Sequence, residues 1–148
     1  MKTKKTHRSV LRRFIHNWAA PVGCGFFFLF LLKFVIFIGY VPTASMEPTI
    51  KEGSFILGVR VFKTLERGDV VVFAQENQLL VKRIAGVRGD IVYTATGEAL
   101  TVPEGCYYML GDNQEESNDS RYWDTPFVPK ARIIAKLYQV HFGYRATV

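Results

Sequence analysis

A mostly β fold is expected, a compact antiparallel barrel or sandwich-like domain preceded by one N-terminal transmembrane helix. Three observations predict it. Beyond Ser45 apolar residues recur with a period near 2 rather than 3.6. Turn-forming residues interrupt that pattern at short intervals. Ahead of it, residues 18–40 are almost wholly apolar, enough for a helix crossing roughly 30 Å of hydrocarbon at about 1.5 Å per residue. The chain therefore divides into a basic tail (1–17), an anchor (18–40) and a β-rich domain (41–148).

The formal charge of +6 is unevenly placed. Lys2, Lys4, Lys5, Arg8, Arg12 and Arg13 precede the apolar segment, and no acid precedes Glu47. From Ser45 onward 12 Lys/Arg stand against 13 Asp/Glu, a balance of −1. The basic excess is thus a tail suited to solvent or anionic lipid. It is not the footprint of a nucleic-acid partner on a folded face. By the positive-inside rule the tail sets the N-terminus in the cytoplasm and the β-rich domain on the outer face. Lys33, roughly 22 Å beyond Trp18 along a helix, is placed to snorkel toward the outer headgroups. A cleaved secretory signal has a similar layout. This apolar run is longer than such a signal needs, and cutting after Ala44 would set Pro42 where a small extended residue is wanted, so an uncleaved anchor is expected.

Residues 55–59, 69–73, 79–85, 90–93, 107–110 and 133–142 each read as a strand. Breakers separate them at Lys51-Glu52-Gly53, Glu66-Arg67-Gly68, Gln75-Glu76-Asn77, Arg88-Gly89, Thr96-Gly97-Glu98 and Pro103-Glu104-Gly105, and a polar loop starts at Gly111. A helix within 111–131 is weakly signalled. Many short strands with close turns suit an antiparallel barrel or sandwich. Cys24 belongs to the anchor and Cys106 to the outer domain, so no disulfide joins them. Two cysteines and three histidines give no metal-ligand spacing, and neither metal nor cofactor is expected.

Chemistry enters at Thr43-Ala44-Ser45-Met46-Glu47-Pro48-Thr49, which starts where the apolar run ends. A serine on a Pro-flanked turn at the lipid surface is well placed to attack a peptide emerging from the bilayer. It needs a group to take its proton. Alternation in residues 79–85 puts Leu80, Lys82 and Ile84 on one face of a strand, so Lys82 projects from an otherwise apolar surface. Burial without an anionic partner lowers an amine's pKa, and a lysine brought to roughly 7–8 accepts protons at neutral pH. Arg83 cannot substitute, since guanidinium stays charged. Alternation alone favours an edge-strand lysine whose head reaches water; Ser45 together with the absence of a better base turns the reading toward a buried amine.

His141 is the competing base, oriented by Asp119 or Asp112 in a Ser-His-Asp arrangement. Its place in the alternating C-terminal segment is that of an ordinary strand residue, and His7 and His16 fall on the other side of the membrane. The acidic stretch 112–119 lacks the glycine and the closing glutamate of a calcium loop, and reads as a solvated loop.

Four blocks in order resemble one family. They are Val41-Pro42-Thr43-Ala44-Ser45-Met46-Glu47-Pro48-Thr49-Ile50, residues 67–73, Val81-Lys82-Arg83-Ile84-Ala85-Gly86-Val87-Arg88-Gly89-Asp90, and Gly111-Asp112-Asn113 followed through Ser117, Asp119, Ser120 and Arg121 to Trp123. The chain resembles the bacterial type I signal peptidases, membrane-anchored serine proteases with a Ser-Lys dyad, in a compact Gram-positive-like form. The resemblance implies a largely β fold, Ser45 as nucleophile and Lys82 as general base. It implies an oxyanion hole formed by the Ser45 N–H and the Thr43 hydroxyl, with Ser117 orienting the lysine and an Asp119–Arg121 ion pair bracing the region. It places Met46, Ile50, Leu80 and Val81 in a shallow apolar pocket for a small residue before the cut. Gln114, Ala44 and Asp124 depart from the family's commoner residues without removing a dyad or oxyanion group.

The function so implied is hydrolysis of signal peptides from exported preproteins after Ala-x-Ala-like sites, on the outer face of the cytoplasmic membrane. The expected partners are preproteins and the lipid bilayer, with the secretion translocon a further candidate. No nucleic acid is expected, and a monomer is. The alternative is a catalytically idle, membrane-tethered β module that binds signal sequences or secretion partners without cutting.

Overall fold

Unbroken apolarity favours a helix, and the chain begins as one. The structure is a computed structural model that describes residues 4–138, with side chains from residue 17 onward. Helix α1 (Lys4–Phe30) passes into one π-helical turn, Leu31–Val35. The stretch Asn17–Val35 is long and apolar enough to cross a membrane.

A second unit starts at Ile36. Residues 36–40, counted with the anchor on sequence, are instead its first strand. Phe37 is buried and Ile38 exposed, so the two faces differ in burial. The alternation escaped notice because both faces carry apolar side chains. The strands are β1 (Ile36–Tyr40), β2 (Phe55–Val59), β3 (Val70–Gln75), β4 (Gln78–Gly86), β5 (Ile91–Tyr93), β6 (Ala99–Thr101), β7 (Cys106–Leu110), β8 (Phe127–Pro129) and β9 (Ile133–Leu137). Seven form one sheet in the order β1-β2-β9-β3-β4-β7-β8, and β5 pairs with β6 separately. Every pairing is antiparallel. Among the described residues β1 and β8 remain the two edges of the sheet.

Both faces of β3 are covered. Val71 and Phe73 pack with Leu65, Ile84, Met109, Val128 and Ile133, whereas Val72 packs with Phe37, Val41, Met46, Ile50, Ile56 and Ala135. That two-sided burial is why Val70-Val71-Val72-Phe73 reads as a continuous apolar run. Glu76 and Asn77, both at positive φ, make the tight turn into β4. A third cluster of Val92, Val102 and Tyr108 seats the β5–β6 hairpin. Gly86, where the β4–β7 register shifts, lets it approach: a Cβ there would lie 2.8 Å from Val92 Cγ1 and 3.1 Å from Tyr108 Cβ.

Strands β6 and β8 have three residues each, too few to display a period, and β8 ends in a proline. The weakly signalled helix within 111–131 is not there: the chain makes turns and β8, with only a 3₁₀ turn following at Lys130–Arg132. His141 and the end of the last predicted strand lie outside the described residues.

Candidate active site

Met46 is the anchor of the serine turn. Its side chain is fully buried in the Phe37–Ile56 cluster, so the 3₁₀ turn Ala44–Met46 is fastened to the core directly after Ser45. The Glu47 N–H donates to the Ala44 carbonyl at 3.0 Å, and the Ile50 N–H to the Met46 carbonyl at 2.8 Å. Thr43 is extended, and its Oγ1 lies 3.4 Å from Ser45 Oγ. Ser45 keeps 9% of its surface exposed.

Lys82 rises from β4 opposite Val71, with Ile84 buried next to it on the same face. It is 4% exposed, so its head is not in open solvent. Nζ donates to Ser117 Oγ at 3.0 Å, and Ser117 Oγ donates to Asp119 Oδ2 at 2.6 Å. Asp119, with no exposed surface, also accepts from the Gly111 N–H at 3.0 Å, from Arg121 Nε at 2.9 Å and from Arg121 NH2 at 3.0 Å. A cation, a hydroxyl and a carboxylate thus form a chain, with the lysine one hydroxyl removed from the charge that would fix its proton.

Burial pushes the Lys82 amine below its ordinary range; Asp119 and Asp112 pull it back up, and Arg121 lowers it further. Burial would raise Asp119, but hydrogen bonds from Arg121, Ser117 and the Gly111 and Arg121 N–H groups hold it below the usual carboxylate range. Asp119 therefore stays ionised while the amine it faces through Ser117 is destabilised as an ammonium.

Ser45 and Lys82 line one groove of about 420 Å³. Tyr40, Val41, Pro42, Leu79, Leu80, Val81 and Trp123 supply its apolar wall; Gln75, Glu76, Gln78, Glu116 and Asn118 supply polar ones. Thr43 lines it as well. Of the four residues assigned to a pocket by resemblance, Leu80 and Val81 do line the groove. Met46 and Ile50 do not: both are core residues, and Val81 packs against their cluster. Resemblance in sequence does not tell a side chain that faces the groove from one that pins the turn. No group of side chains suited to holding a metal ion forms among the described residues.

Three contributors went unnoticed in the sequence. Gly111 is one. A Cβ at this position would lie 2.5 Å from the Ser45 carbonyl oxygen and closer still to Ser117 Oγ, so glycine lets the two serines flank β7's end. Asn113 donates its N–H to the Ser45 carbonyl at 3.1 Å and its side-chain Nδ2 to the Ala44 carbonyl at 3.3 Å. The third is the forked pair of Arg83 with Asp112, Nε to Oδ1 at 2.8 Å and NH2 to Oδ2 at 2.6 Å. None could be found from periodicity, since each joins segments far apart in the chain. At Gln114, one of the departures from the family, Arg121 NH2 donates to the backbone carbonyl at 3.0 Å, a contact that any residue supplies.

A family model described as signal peptidase, peptidase S26, matches residues 14–102 and 93–142. Signal peptidase I of Pseudomonas fluorescens is 30% identical, over 71% of this chain and 61% of its own length. Signal peptidase IB of Staphylococcus aureus strain COL is 29% identical, over 75% of this chain and 82% of its own. Among solved structures, a signal peptidase I from Enterococcus faecalis V583 aligns with 53% of this chain at 26% identity and a TM-score of 0.44. The chain spans about three fifths of the length of the Pseudomonas relatives it matches, 61% in each case.

Proposed function

Because the chain belongs to the signal peptidase family, peptidase S26, we propose that it is a serine endopeptidase removing signal peptides from exported preproteins. The observation that carries this reading is a lysine 4% exposed, with its pKa lowered, lining the same groove as Ser45. The α1 span anchors the protein as a single-pass membrane protein, tail in the cytoplasm and β domain outside. The signal's apolar segment lies in the bilayer, and its extended C-terminal region enters the groove beside Ser45.

Neutral Lys82 takes the Ser45 hydroxyl proton as Oγ attacks the scissile carbonyl. The Ser45 N–H and the Thr43 hydroxyl hold the developing oxyanion. As the tetrahedral species collapses, Lys82 returns the proton to the leaving amine, the new N-terminus of the mature protein. Lys82 next deprotonates a water that attacks the ester, and collapse frees the signal fragment and restores Ser45. Leu80, Val81 and the rest of the apolar wall favour a small residue before the cut. Ser117 fixes the amine's direction, and Asp119 with Arg121 fixes Ser117. The chain works as a monomer on preproteins at the membrane, where the secretion translocon would deliver them. Tethering raises the local substrate concentration, so weak side-chain contacts suffice.

The test is cleavage of a preprotein bearing an Ala-x-Ala site by full-length protein in phospholipid vesicles. Ser45→Ala and Lys82→Ala should each abolish cleavage while thermal unfolding stays cooperative. Robust cleavage by purified Lys82→Ala would remove the dyad. Against the idle-module reading stand Ser45 and Lys82 lining one groove and the bond from Lys82 Nζ to Ser117 Oγ; labelling by an acylating serine reagent, lost in Ser45→Ala, separates the two.

A further inference from the structure

We propose that Asn113 is a positioning residue for the oxyanion hole, aiming the Ser45 N–H by holding the opposite end of the same peptide unit. The inference rests on the proposed peptidase chemistry. The Ala44–Ser45 peptide is planar and trans, so the Ala44 carbonyl and the Ser45 N–H point in opposite directions. Whatever fixes that carbonyl fixes the direction of the N–H. Asn113 Nδ2 donates to it at 3.3 Å, and the Glu47 N–H closes the turn on it at 3.0 Å.

The next carbonyl, that of Ser45, accepts the Asn113 backbone N–H at 3.1 Å. One residue therefore holds two consecutive carbonyls and leaves the N–H between them free of rotation. Donation to the Ala44 oxygen also polarises its peptide, which strengthens the N–H on the other side as a donor. Asn113 can do this because its loop is itself fastened. Asp112 before it is forked to Arg83, and the Gly111 N–H is bonded to Asp119. Asn113 touches none of the reacting atoms, so its effect belongs to the oxyanion and not to the proton transfer.

Two substitutions isolate the side chain, because both keep the backbone N–H. Asn113→Ala removes the donor, and Asn113→Asp replaces it with a near-isosteric group that offers only acceptors to a carbonyl oxygen. Turnover of an Ala-x-Ala peptide is measured on full-length protein in phospholipid vesicles and expressed per Ser45 that a serine-acylating reagent labels at completion. The expected result is a kcat per labelled site about 10-fold lower in Asn113→Ala and up to about 100-fold lower in Asn113→Asp. KM should hold, and the rising limb of the pH–rate profile should stay in place in Asn113→Ala. A loss accounted for entirely by fewer labelled sites, or a kcat per site within about twofold of the unsubstituted protein, overturns the assignment. If the unsubstituted protein shows no Ser45-dependent cleavage, the proposed function falls and takes this role with it; intact Ser45-dependent cleavage with indifferent variants removes the role of Asn113 alone.

Discussion

Lys82 and Arg83 are consecutive residues of β4, project to opposite faces, and both reach the loop that follows β7. Each finds an aspartate there, but by different routes. Arg83 forks directly onto Asp112, also reaching the Gly68 carbonyl at 2.7 Å, and that hydrogen-bonded pairing raises its already high pKa. Lys82 meets Asp119 only through the Ser117 hydroxyl, and burial outweighs the carboxylate's pull. A direct ion pair raises the pKa of the guanidinium and makes it a brace; one interposed hydroxyl orients the amine while burial still lowers its pKa. On the proposed mechanism, chemistry and support are separated on this strand by the position of a single oxygen.

The comparison breaks most severely at Lys82→Arg. A guanidinium keeps its proton in any protein setting, so cleavage should fall by on the order of 10⁴-fold or more, as loss of a nucleophile–base partner does elsewhere. The measurement is single-turnover hydrolysis of a peptide with an Ala-x-Ala site. Substantial activity in that variant would mean the base is some other group.

Asp119→Asn tests the interposed hydroxyl from its far end. In the proposed mechanism activity requires neutral Lys82, so the rate should rise as pH climbs through the amine's pKa. Asp119 raises that pKa; without its charge the pKa drops, and the rising limb of the pH–rate profile should move to lower pH. The rate on the plateau should fall as well, because Ser117 loses the acceptor that directs it. A limb displaced to higher pH would contradict the electrostatic sign.

Arg83→Gln is the mildest. It removes half of a partly buried ion pair and strands Asp112, at a cost of about 1–3 kcal/mol in urea unfolding. The kcat should stay within about tenfold of the parent, since Arg83 braces the loop without touching the groove. A collapse of activity with unchanged stability would assign Arg83 to the chemistry.

Much of this was legible in advance. Six of the nine described strands, β2 to β5, β7 and β9, announced themselves through alternation and turn residues, and Lys82 stood out because it interrupts an apolar face. The roles of Ser117, Asp119 and Arg121 came only through family resemblance, and their linkage into one chain needed coordinates. Strand β1 was hidden because a strand apolar on both faces, directly after an apolar helix, leaves no change of composition to mark the boundary. Met46 and Ile50 were set in the pocket by resemblance to the family, whereas both side chains here are buried in the core. Gly111 and Asn113 act across separations that no local pattern encodes.

Loop 111–122 has no strand or helix, yet both of its ends are tied by backbone amides. Those of Gly111, Asn113, Ser120, Arg121 and Tyr122 each donate to an oxygen of Asp119, Ser45 or Met109. Those five amides should exchange deuterium slowly, as the amides of the neighbouring sheet do. Irregular backbone is fixed here where it meets Ser45 and β7, so prying open either end of the loop would break several hydrogen bonds at once.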